Sequence, residues 1–561
     1  MRLAALLVIA ACHRTPKPIS LAPLPAGAYA HYLAGKLALY RDDPAAAADE
    51  LRLAAAAAPD QPMIAVELAR ALAKAKRAAA ARDVLVLARK KWPDHSQVWL
   101  ASGEVLEDAA ATRKEALDAY RKAIKLEPTE ERAYIGLART QATAGDGAGA
   151  ERTLRALVKK LPTSVEGHYR LAQRLEQRGD RNAAIGELRA VLEEEPDHLD
   201  ARLDLARTLR RIGKLEEAIA QTRSAFDRAG QPMDIAEELY WLLCEADDRQ
   251  GAIDLLTLLD DDRSDADALA TVAQFQRQLG RTPEARVVAS HIKPLDPDAA
   301  TIALAETDLA EGLIDSAVQT ALSIPEKAKR YREARRVAVD ALIKGGNARR
   351  ALELLEPLRK AKPADLELAY TEALAHAEAG DAAKARELAG KLRGDAIIVA
   401  YLRARIADHL GDPAGALAIL EPALRDNPEH VGANNLAGYL LADLTEQQAG
   451  PLKRARKQRL ADAERYLARA RDLQPGDPAI LDSWGWLLYQ QGRARDAVRT
   501  LDRASRFAPR EPEILVHLAS AWAADGAPRT AAEVLDRAEK LGPAPAVKRR
   551  IDALRASLAI R

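Results

Sequence analysis

Prolines recur along this chain at an almost constant interval, and that interval limits what the chain can fold into. One series of prolines is spaced by 34 or 35 residues in the first part of the sequence and by 34 residues near its end. The positions that keep the interval are Pro59, Pro93, Pro128, Pro162 and Pro196, and later Pro475, Pro509 and Pro543. Proline lacks a backbone N–H and ends a helix, so each one marks the end of a structural unit. A fixed period of this length indicates an array of small repeated units rather than one globular core.

The composition agrees with a helical array. Hydrophobic residues make up 48% of the 561 residues, yet aromatic residues make up only 4%. A large globular core would use more aromatic volume, whereas the alanines and leucines that dominate here are strong helix formers. The length alone would suggest several domains, but that prior does not apply to a continuous repeat array.

The residues between the prolines follow one pattern. A small residue stands at position 8 of the repeat, Ala at position 20, apolar residues at positions 24 and 27, and Pro at position 32. Positions 20, 24 and 27 share one face of a helix. The alanines at position 20 are Ala47, Ala81, Ala116, Ala150, Ala184, Ala218, Ala252, Ala285, Ala317, Ala351, Ala385, Ala416, Ala463, Ala497 and Ala531.

This pattern resembles the tetratricopeptide repeat. The resemblance implies an all-α fold, a right-handed superhelical solenoid of antiparallel helix pairs with about fifteen repeats. We expect a regular array over residues 28–230, degenerate repeats over 231–331 and a second array over 332–543. Residues 544–561 are expected to form an amphipathic helix that caps the open end.

One repeat carries an insertion. The step from Pro428 to Pro475 is 47 residues, 13 more than the period, and the extra segment lies at 445–459. Pro451 suits the first turn of a helix, so a lengthened second helix is expected from there to Leu473. The insert is a candidate site for anionic lipid headgroups or an acidic partner; the alternative is a solvated helix. Its cations are Lys453, Arg454, Arg456, Lys457 and Arg459.

The first residues have the features of a secreted lipoprotein. Met1-Arg2 precedes an apolar stretch from Leu3 to Ile9, which is typical of a signal peptide. The sequence ending at Cys12 resembles the bacterial lipobox, which implies a signal peptide at 1–11 and a lipid on Cys12. Residues 12–27 contain four prolines and are expected to be a tether. The implied location is the outer membrane, facing the periplasm; the alternative is a cytosolic protein without lipid.

The resemblance also implies where partners bind. In such repeats the first helix of each pair lines a concave groove, with positions 2, 5, 9 and 12 facing inward. Trp486 is the expected exposed anchor, since aromatic residues dominate binding surfaces; the alternative is that it packs between repeats. The candidate protein-binding residues are Asn435, Tyr439, Asp482, Trp486, Tyr489 and Ser520.

Nothing in the sequence indicates catalysis, a cofactor or a metal. The histidines show no metal-ligand spacing and no His-Glu-x-x-His motif. A net charge of +1 gives no general attraction for nucleic acid. The predicted function is a protein-binding scaffold of the bacterial envelope that supports assembly, secretion or polysaccharide export. The alternatives are a cytosolic adaptor and a self-associating spacer.

Overall fold

A computed structural model describes residues 24–261, 265–452 and 454–559. The expected signal peptide, Cys12, Lys453 and all but the last residues of the expected tether lie outside this part of the chain. The chain divides into two compact units, Met1–Thr208 and Leu209–Arg561, which we call the N-terminal and C-terminal units.

The N-terminal unit consists of antiparallel helix pairs in chain order. From α1 to α10, each odd-numbered helix packs against the next one, and each pair then packs against its successor. The first helix begins at Ala26, two residues before the expected boundary. The helices are α1 (Ala26–Tyr40), α2 (Pro44–Ala57), α3 (Pro62–Lys74), α4 (Ala78–Lys91), α5 (Ser96–Leu106), α6 (Arg113–Leu126), α7 (Glu131–Thr143), α8 (Gly147–Lys160), α9 (Val165–Arg178), α10 (Arg181–Glu194) and α11 (Leu199–Arg211), which runs across the division.

The C-terminal unit continues the same arrangement and ends in a single helix. Its helices are α12 (Leu215–Arg228), α13 (Met233–Glu245), α14 (Arg249–Asp261), α15 (Ala266–Gln278), α16 (Thr282–Ile292), α17 (Pro297–Ala310), α18 (Ile314–Leu322), α19 (Tyr331–Lys344), α20 (Ala348–Ala361), α21 (Leu366–Glu378), α22 (Ala382–Lys391), α23 (Ala396–His409), α24 (Pro413–Asp426), α25 (Val431–Asp443), α26 (Glu446–Ala449), α27 (Arg456–Leu473), α28 (Pro478–Gln490), α29 (Ala494–Phe507), α30 (Pro512–Ala524), α31 (Pro528–Lys540) and α32 (Pro545–Ala559). A 3-10 turn at Gly450–Leu452 follows α26. No strand occurs in the residues that the structure describes.

The repeat register follows the alanine pattern throughout. All fifteen position-20 alanines lie in the second helix of a pair and are 0 or 1% exposed. This includes Ala252, Ala285 and Ala317 in the degenerate repeats, where the prolines give little guidance. The all-helical solenoid expected from the sequence is therefore confirmed.

The small residue at position 8 has a direct steric reason. A Cβ atom on Gly485 would lie 2.5 Å from Cγ of Leu501, the position-24 residue of the same repeat. Such a contact is too close for any side chain, so the two helices can approach only where position 8 is small. The same clash recurs in three further repeats, between Gly35 and Leu51, Gly103 and Tyr120, and Gly438 and Leu467.

The insertion folds differently from the expected long helix. Thr445 caps the short helix α26 in a reciprocal capping box with Gln448, and the 3-10 turn follows. Helix α27 begins at Arg456 rather than at Pro451, so the expectation of one continuous helix from Pro451 is wrong. The capping box stabilises a separate helix start at Thr445, and Pro451 lies inside the 3-10 turn.

Candidate functional site

The first helices of the last pairs lie side by side and line a cavity in the C-terminal unit. Helices α23, α25, α28 and α30 contact one another in sequence order. Their side chains line a cavity of about 510 Å³. Three of the predicted binding residues, Asn435, Tyr439 and Asp482, meet there. These are positions that the resemblance placed inward, so the structure brings half of the predicted site together.

The opposite wall comes from residues far earlier in the chain. Arg277 and Gln278 lie at the end of α15, Ala310 at the end of α17 and Lys344 at the end of α19. The sequence did not single these residues out, because more than 50 residues separate each of them from the facing helices. No local signal predicts such a contact.

Arginine side chains join later helices of the unit to the ends of earlier ones, and Arg510 does so at the cavity. Arg503 Nη1 donates to the carbonyl oxygen of Glu245, the last residue of α13, at 2.6 Å. Arg510 donates through Nε to Ala310 O at 3.0 Å and through Nη2 to Glu311 O at 3.2 Å. The last carbonyls of a helix have no partner within the helix and carry partial negative charge. Each guanidinium therefore satisfies groups that would otherwise need water.

A third arginine lies on an earlier helix and donates to the end of a later one. Arg210, in the last turn of α11, donates to Arg471 O at 3.2 Å and to Asp472 O at 2.8 Å, at the end of α27. The approach nearby is so close that a Cβ atom on Gly476 would lie 2.1 Å from Trp241 O. Gly476 also has a positive φ of 73°, so glycine is required there on two grounds.

Two carboxylates of the cavity wall belong to a buried polar cluster. His517 is 0% exposed, and its Nδ1 lies 2.9 and 3.0 Å from the two carboxylate oxygens of Asp482. Arg550 of the last helix donates through Nη2 to His517 Nε2 at 2.9 Å and through Nη1 to Glu513 at 2.8 Å. Since Arg550 can only donate, Nε2 accepts and Nδ1 carries the proton that reaches Asp482.

Burial shapes the ionisation of the cavity wall. Burial, together with the charge of Asp443, raises the pKa of Tyr439 above its ordinary value. Burial also raises the pKa of Asp477, although the amides of Ala479 and Ile480 donate to its carboxylate. The cavity wall around Tyr439 and Asp477 is thus poorly solvated, and a polar ligand that lies against it loses water and needs replacement partners.

Two comparisons of the sequence establish what these helix pairs are. A family model described as Tetratricopeptide repeat matches residues 109–175 and 175–232, and a second model of the same description matches 401–478 and 483–545. Both stretches are tetratricopeptide repeats. Over 158 residues the chain is also 30% identical to the TPR repeat-containing protein PA4667 of Pseudomonas aeruginosa. That alignment covers 28% of this chain and a quarter (25%) of the relative.

Solved tetratricopeptide proteins overlay on parts of the chain with low scores. The TPR protein TTC0263 of Thermus thermophilus is 19% identical, covers 32% of this chain and 98% of its own, and has a TM-score of 0.28. Pseudomonas aeruginosa pilF is 15% identical, covers 38% of this chain and 96% of its own, and has a TM-score of 0.31. We therefore assign the fold from the helix pairs themselves and not from these overlays.

Trp486 does not stand exposed on the tetratricopeptide groove. It is 7% exposed, its Nε1 donates to Asp443 Oδ1 at 2.8 Å, and its ring stacks on His517 with 4.3 Å between centroids. The expectation of an exposed aromatic anchor is wrong for this position, because neighbouring repeats enclose the indole. Trp486 instead packs between neighbouring repeats whose first helices line the cavity.

Two other predicted residues also lie away from the cavity. Tyr489 is half-buried and stacks on Trp486 with 4.8 Å between ring centroids. Ser520 donates from Oγ to the carbonyl oxygen of Val516 in its own helix at 2.9 Å. Neither residue lines the cavity, and their role in partner binding stays a prediction.

The cations of the insert largely contact the protein itself. Arg459 is 2% exposed and donates to Leu444 O, so it cannot meet a headgroup. Arg454 forms a bidentate ion pair with Glu421, with distances of 2.5 and 2.8 Å, and Arg456 donates to Gln490 O at 2.8 Å. Arg459 is thus unavailable to an anionic ligand, whereas Arg456 and Lys457 are exposed. Binding of an anionic headgroup or an acidic partner at the insert stays a prediction.

We also examined the described residues for a reactive cysteine, a metal site and a membrane-spanning helix. Cys244 is a free, buried cysteine, and burial raises the pKa of its thiol, so the nucleophilic thiolate is disfavoured. Within the same part of the chain, no group of His, Cys, Asp and Glu residues is arranged to hold a metal ion. The helices found there are also too short or too polar to cross a bilayer.

Proposed function

We propose that this protein is a binding scaffold that holds a segment of a partner protein in the cavity of its C-terminal unit. The observation that carries the proposal is the meeting of Asn435, Tyr439 and Asp482 on one cavity wall. Asn435 Oδ1 is buried and has no hydrogen-bond donor among the described residues. A buried acceptor without a donor is costly, and an incoming backbone amide would satisfy it. The scaffold acts by binding, without catalysing a reaction.

The cavity is tested by filling it. Ala479 is exposed and lines the cavity, so Ala479→Tyr adds bulk there without removing an internal contact. Ala461 is an exposed alanine on α27 outside the cavity, and Ala461→Tyr is the matched control. In affinity capture from the native organism, Ala479→Tyr loses the partners that the wild type and Ala461→Tyr retain. Equal capture by both variants contradicts the proposal.

The location is a second part of the proposal. We place the scaffold in a Gram-negative-type envelope, held at the outer membrane by lipid on Cys12 and facing the periplasm, where it supports assembly, secretion or polysaccharide export. The support is the lipobox-like sequence Ile9-Ala10-Ala11-Cys12. A single acyl chain anchors weakly, whereas two or more hold firmly. Metabolic labelling with a fatty acid is expected for the wild type and absent in Cys12→Ala; an unlabelled wild type favours the cytosolic adaptor instead.

A further inference from the structure

The charged groups of the cavity are unequally satisfied. Three of its carboxylates already accept hydrogen bonds from the protein. Asp477 caps α28, Asp482 accepts from His517, and Glu513 accepts from Arg550. Each of these carboxylates therefore has fewer lone pairs left for a cation of a ligand, and the fourth carboxylate of the cavity, Glu511, lies near the charge of Lys344.

The cations of the same cavity are less committed. Arg277 donates through Nη2 to Glu306 at 2.6 Å, but its buried Nη1 has no acceptor in the described part of the chain. Arg405 lies over the rings of Tyr370 and Tyr401, 5.4 and 5.7 Å from their centroids. Those contacts engage the faces of the guanidinium and leave its N–H edge available for an acceptor.

The remaining carboxyl groups near these cations do not fully neutralise their positive charge. Lys344 and Arg405 form no ion pair with any described carboxylate at bonding distance. Burial raises the pKa of Glu511 on the cavity wall, an effect that the charge of Lys344 opposes. Burial also raises the pKa of Asp340, near Arg405, to about 6, and raises that of Asp408.

We infer that the cavity binds an extended, acidic segment of the partner protein. Carboxylates of that segment meet Arg277, Lys344 and Arg405, and a backbone N–H of the segment donates to Asn435 Oδ1. A guanidinium hydrogen-bonds a carboxylate in a planar, two-point geometry, which makes it the preferred anion partner in a poorly solvated site. A cavity of about 510 Å³ falls within the size range of ligand sites in general. The inference rests on the proposed function and names the chemistry of its partner.

Three matched peptide pools test the charge preference. Each pool contains 12-residue peptides with blocked ends and randomised odd positions; the even positions are Glu in the first pool, Gln in the second and Lys in the third. The full-length protein is immobilised, and the retained fraction of each pool is measured. We expect the Glu pool to be retained at least about tenfold more than the Gln pool, which corresponds to one charge-assisted contact of about 1.4 kcal/mol. Retention of the Glu pool equal to or below that of either other pool overturns the inference.

Substitutions assign the preference to the cavity. Arg405→Gln removes an exposed cation of the wall and is expected to lower Glu-pool retention about tenfold, with Arg277→Gln acting in the same direction. Arg495, an exposed arginine on α29 outside the cavity, provides the control Arg495→Gln, which is expected to bind like the wild type. Because Arg277 is paired with Glu306, circular dichroism checks that its variant stays folded. Glu-pool retention that is unchanged in folded Arg405→Gln overturns the assignment to this cavity.

The outcome separates the ligand class from the proposed function. Loss of native partners in Ala479→Tyr, combined with no preference among the pools, leaves the scaffold function standing and removes the acidic segment. Retention of the Glu pool that Ala479→Tyr does not disturb places the acidic site outside the cavity and overturns the inference. The predicted result is loss of both Glu-pool retention and partner capture in Ala479→Tyr.

Discussion

His517 and Asp482 form a buried hydrogen bond across two consecutive repeats, with 2.9 and 3.0 Å from Nδ1 to the two carboxylate oxygens. The imidazole has no exposed surface, and Arg550 of the terminal helix reaches its other nitrogen. One polar chain thus links α28, α30 and α32. It fixes the last repeats to the helix that covers them, directly behind the cavity wall.

Replacing His517 therefore releases the terminal helix. His517→Leu leaves the Asp482 carboxylate and one nitrogen of Arg550 without a partner, which costs about 2–4 kcal/mol locally. Hydrogen exchange followed by mass spectrometry is expected to show faster exchange in α28, α30 and α32, with α1–α10 unchanged. The control is His409→Leu, since His409 is exposed and contacts only Glu378 at 3.3 Å. Equal exchange in the two variants would contradict the structural role of the cluster.

Position 20 holds a buried alanine in each repeat, and it is tested in the N-terminal unit. Ala184 is fully buried in α10, so Ala184→Arg forces a long charged side chain into that buried position and is expected to cost more than about 3 kcal/mol. Asn182 is exposed on the same helix, and Asn182→Arg is expected to unfold like the wild type. The urea midpoint followed by circular dichroism checks both. An unchanged midpoint for Ala184→Arg would show that the register is wrong.

Glu67 predicts a pH-dependent stability in the N-terminal unit. Burial opposes ionisation of its carboxyl, but the hydrogen bond from Lys36 and the charges of Lys36 and Arg70 lower the pKa of Glu67 below its ordinary value. A lowered folded pKa stabilises the fold above the unfolded value of about 4.3 and loses that contribution as the pH falls through the folded value. The same contact raises the pKa of Lys36, so its contribution persists up to alkaline pH.

Glu67→Gln is therefore expected to be less stable than the wild type at pH 7, by about 1–2 kcal/mol. The difference starts to shrink as the pH falls past the unfolded value of about 4.3, and it continues to shrink as the pH falls through the lower folded value. Asp60 is 86% exposed and pairs with Lys91, so Asp60→Asn is the control and should differ from the wild type by less than about 0.5 kcal/mol at either pH. Urea unfolding at pH 7 and pH 4 makes the comparison; a Glu67→Gln difference that grows on acidification contradicts the assigned ion pair.

Turn glycines of the helix hairpins are required by backbone conformation alone. Gly380 has a φ of 85° and open space where a Cβ would stand, so Gly380→Ala costs only backbone strain, about 1–2 kcal/mol. Gly390 lies within helix α22 with equally open space, and Gly390→Ala is expected to be neutral or slightly stabilising. Thermal unfolding of the two variants gives the check. Equal destabilisation by both would contradict the role assigned to the positive φ of Gly380.

The sequence predicts the repeat framework well because that framework is local. Position 20 and the glycine at position 8 face residues of the same repeat, so their spacing along the chain determines the contact. Ala252 and Ala285 are buried even where prolines are missing, because the helix face they belong to survives the loss of the turn signal. A periodic pattern of this kind carries its structural meaning within 34 residues.

The candidate site is only partly predictable for the opposite reason. Asn435 and Asp482 follow from their repeat positions, but Arg277 and Lys344 reach the cavity from repeats earlier in the chain through contacts that no spacing encodes. Arg459 illustrates the same limit: a basic residue in a basic run looks solvated, yet tertiary packing buries it. Trp486 fails likewise, since its burial depends on His517 one repeat away.

Photocrosslinking in cells tests most directly whether the cavity contacts a partner protein. A photoreactive phenylalanine derivative is placed at Ala479 in the cavity or at Ala461 on the outer helix, and the cells are illuminated. We predict a discrete crosslinked protein from position 479 and none in common from position 461, with the attachment point in an acidic segment of the partner. Identical crosslinked proteins from both positions, or none from position 479, would contradict this prediction.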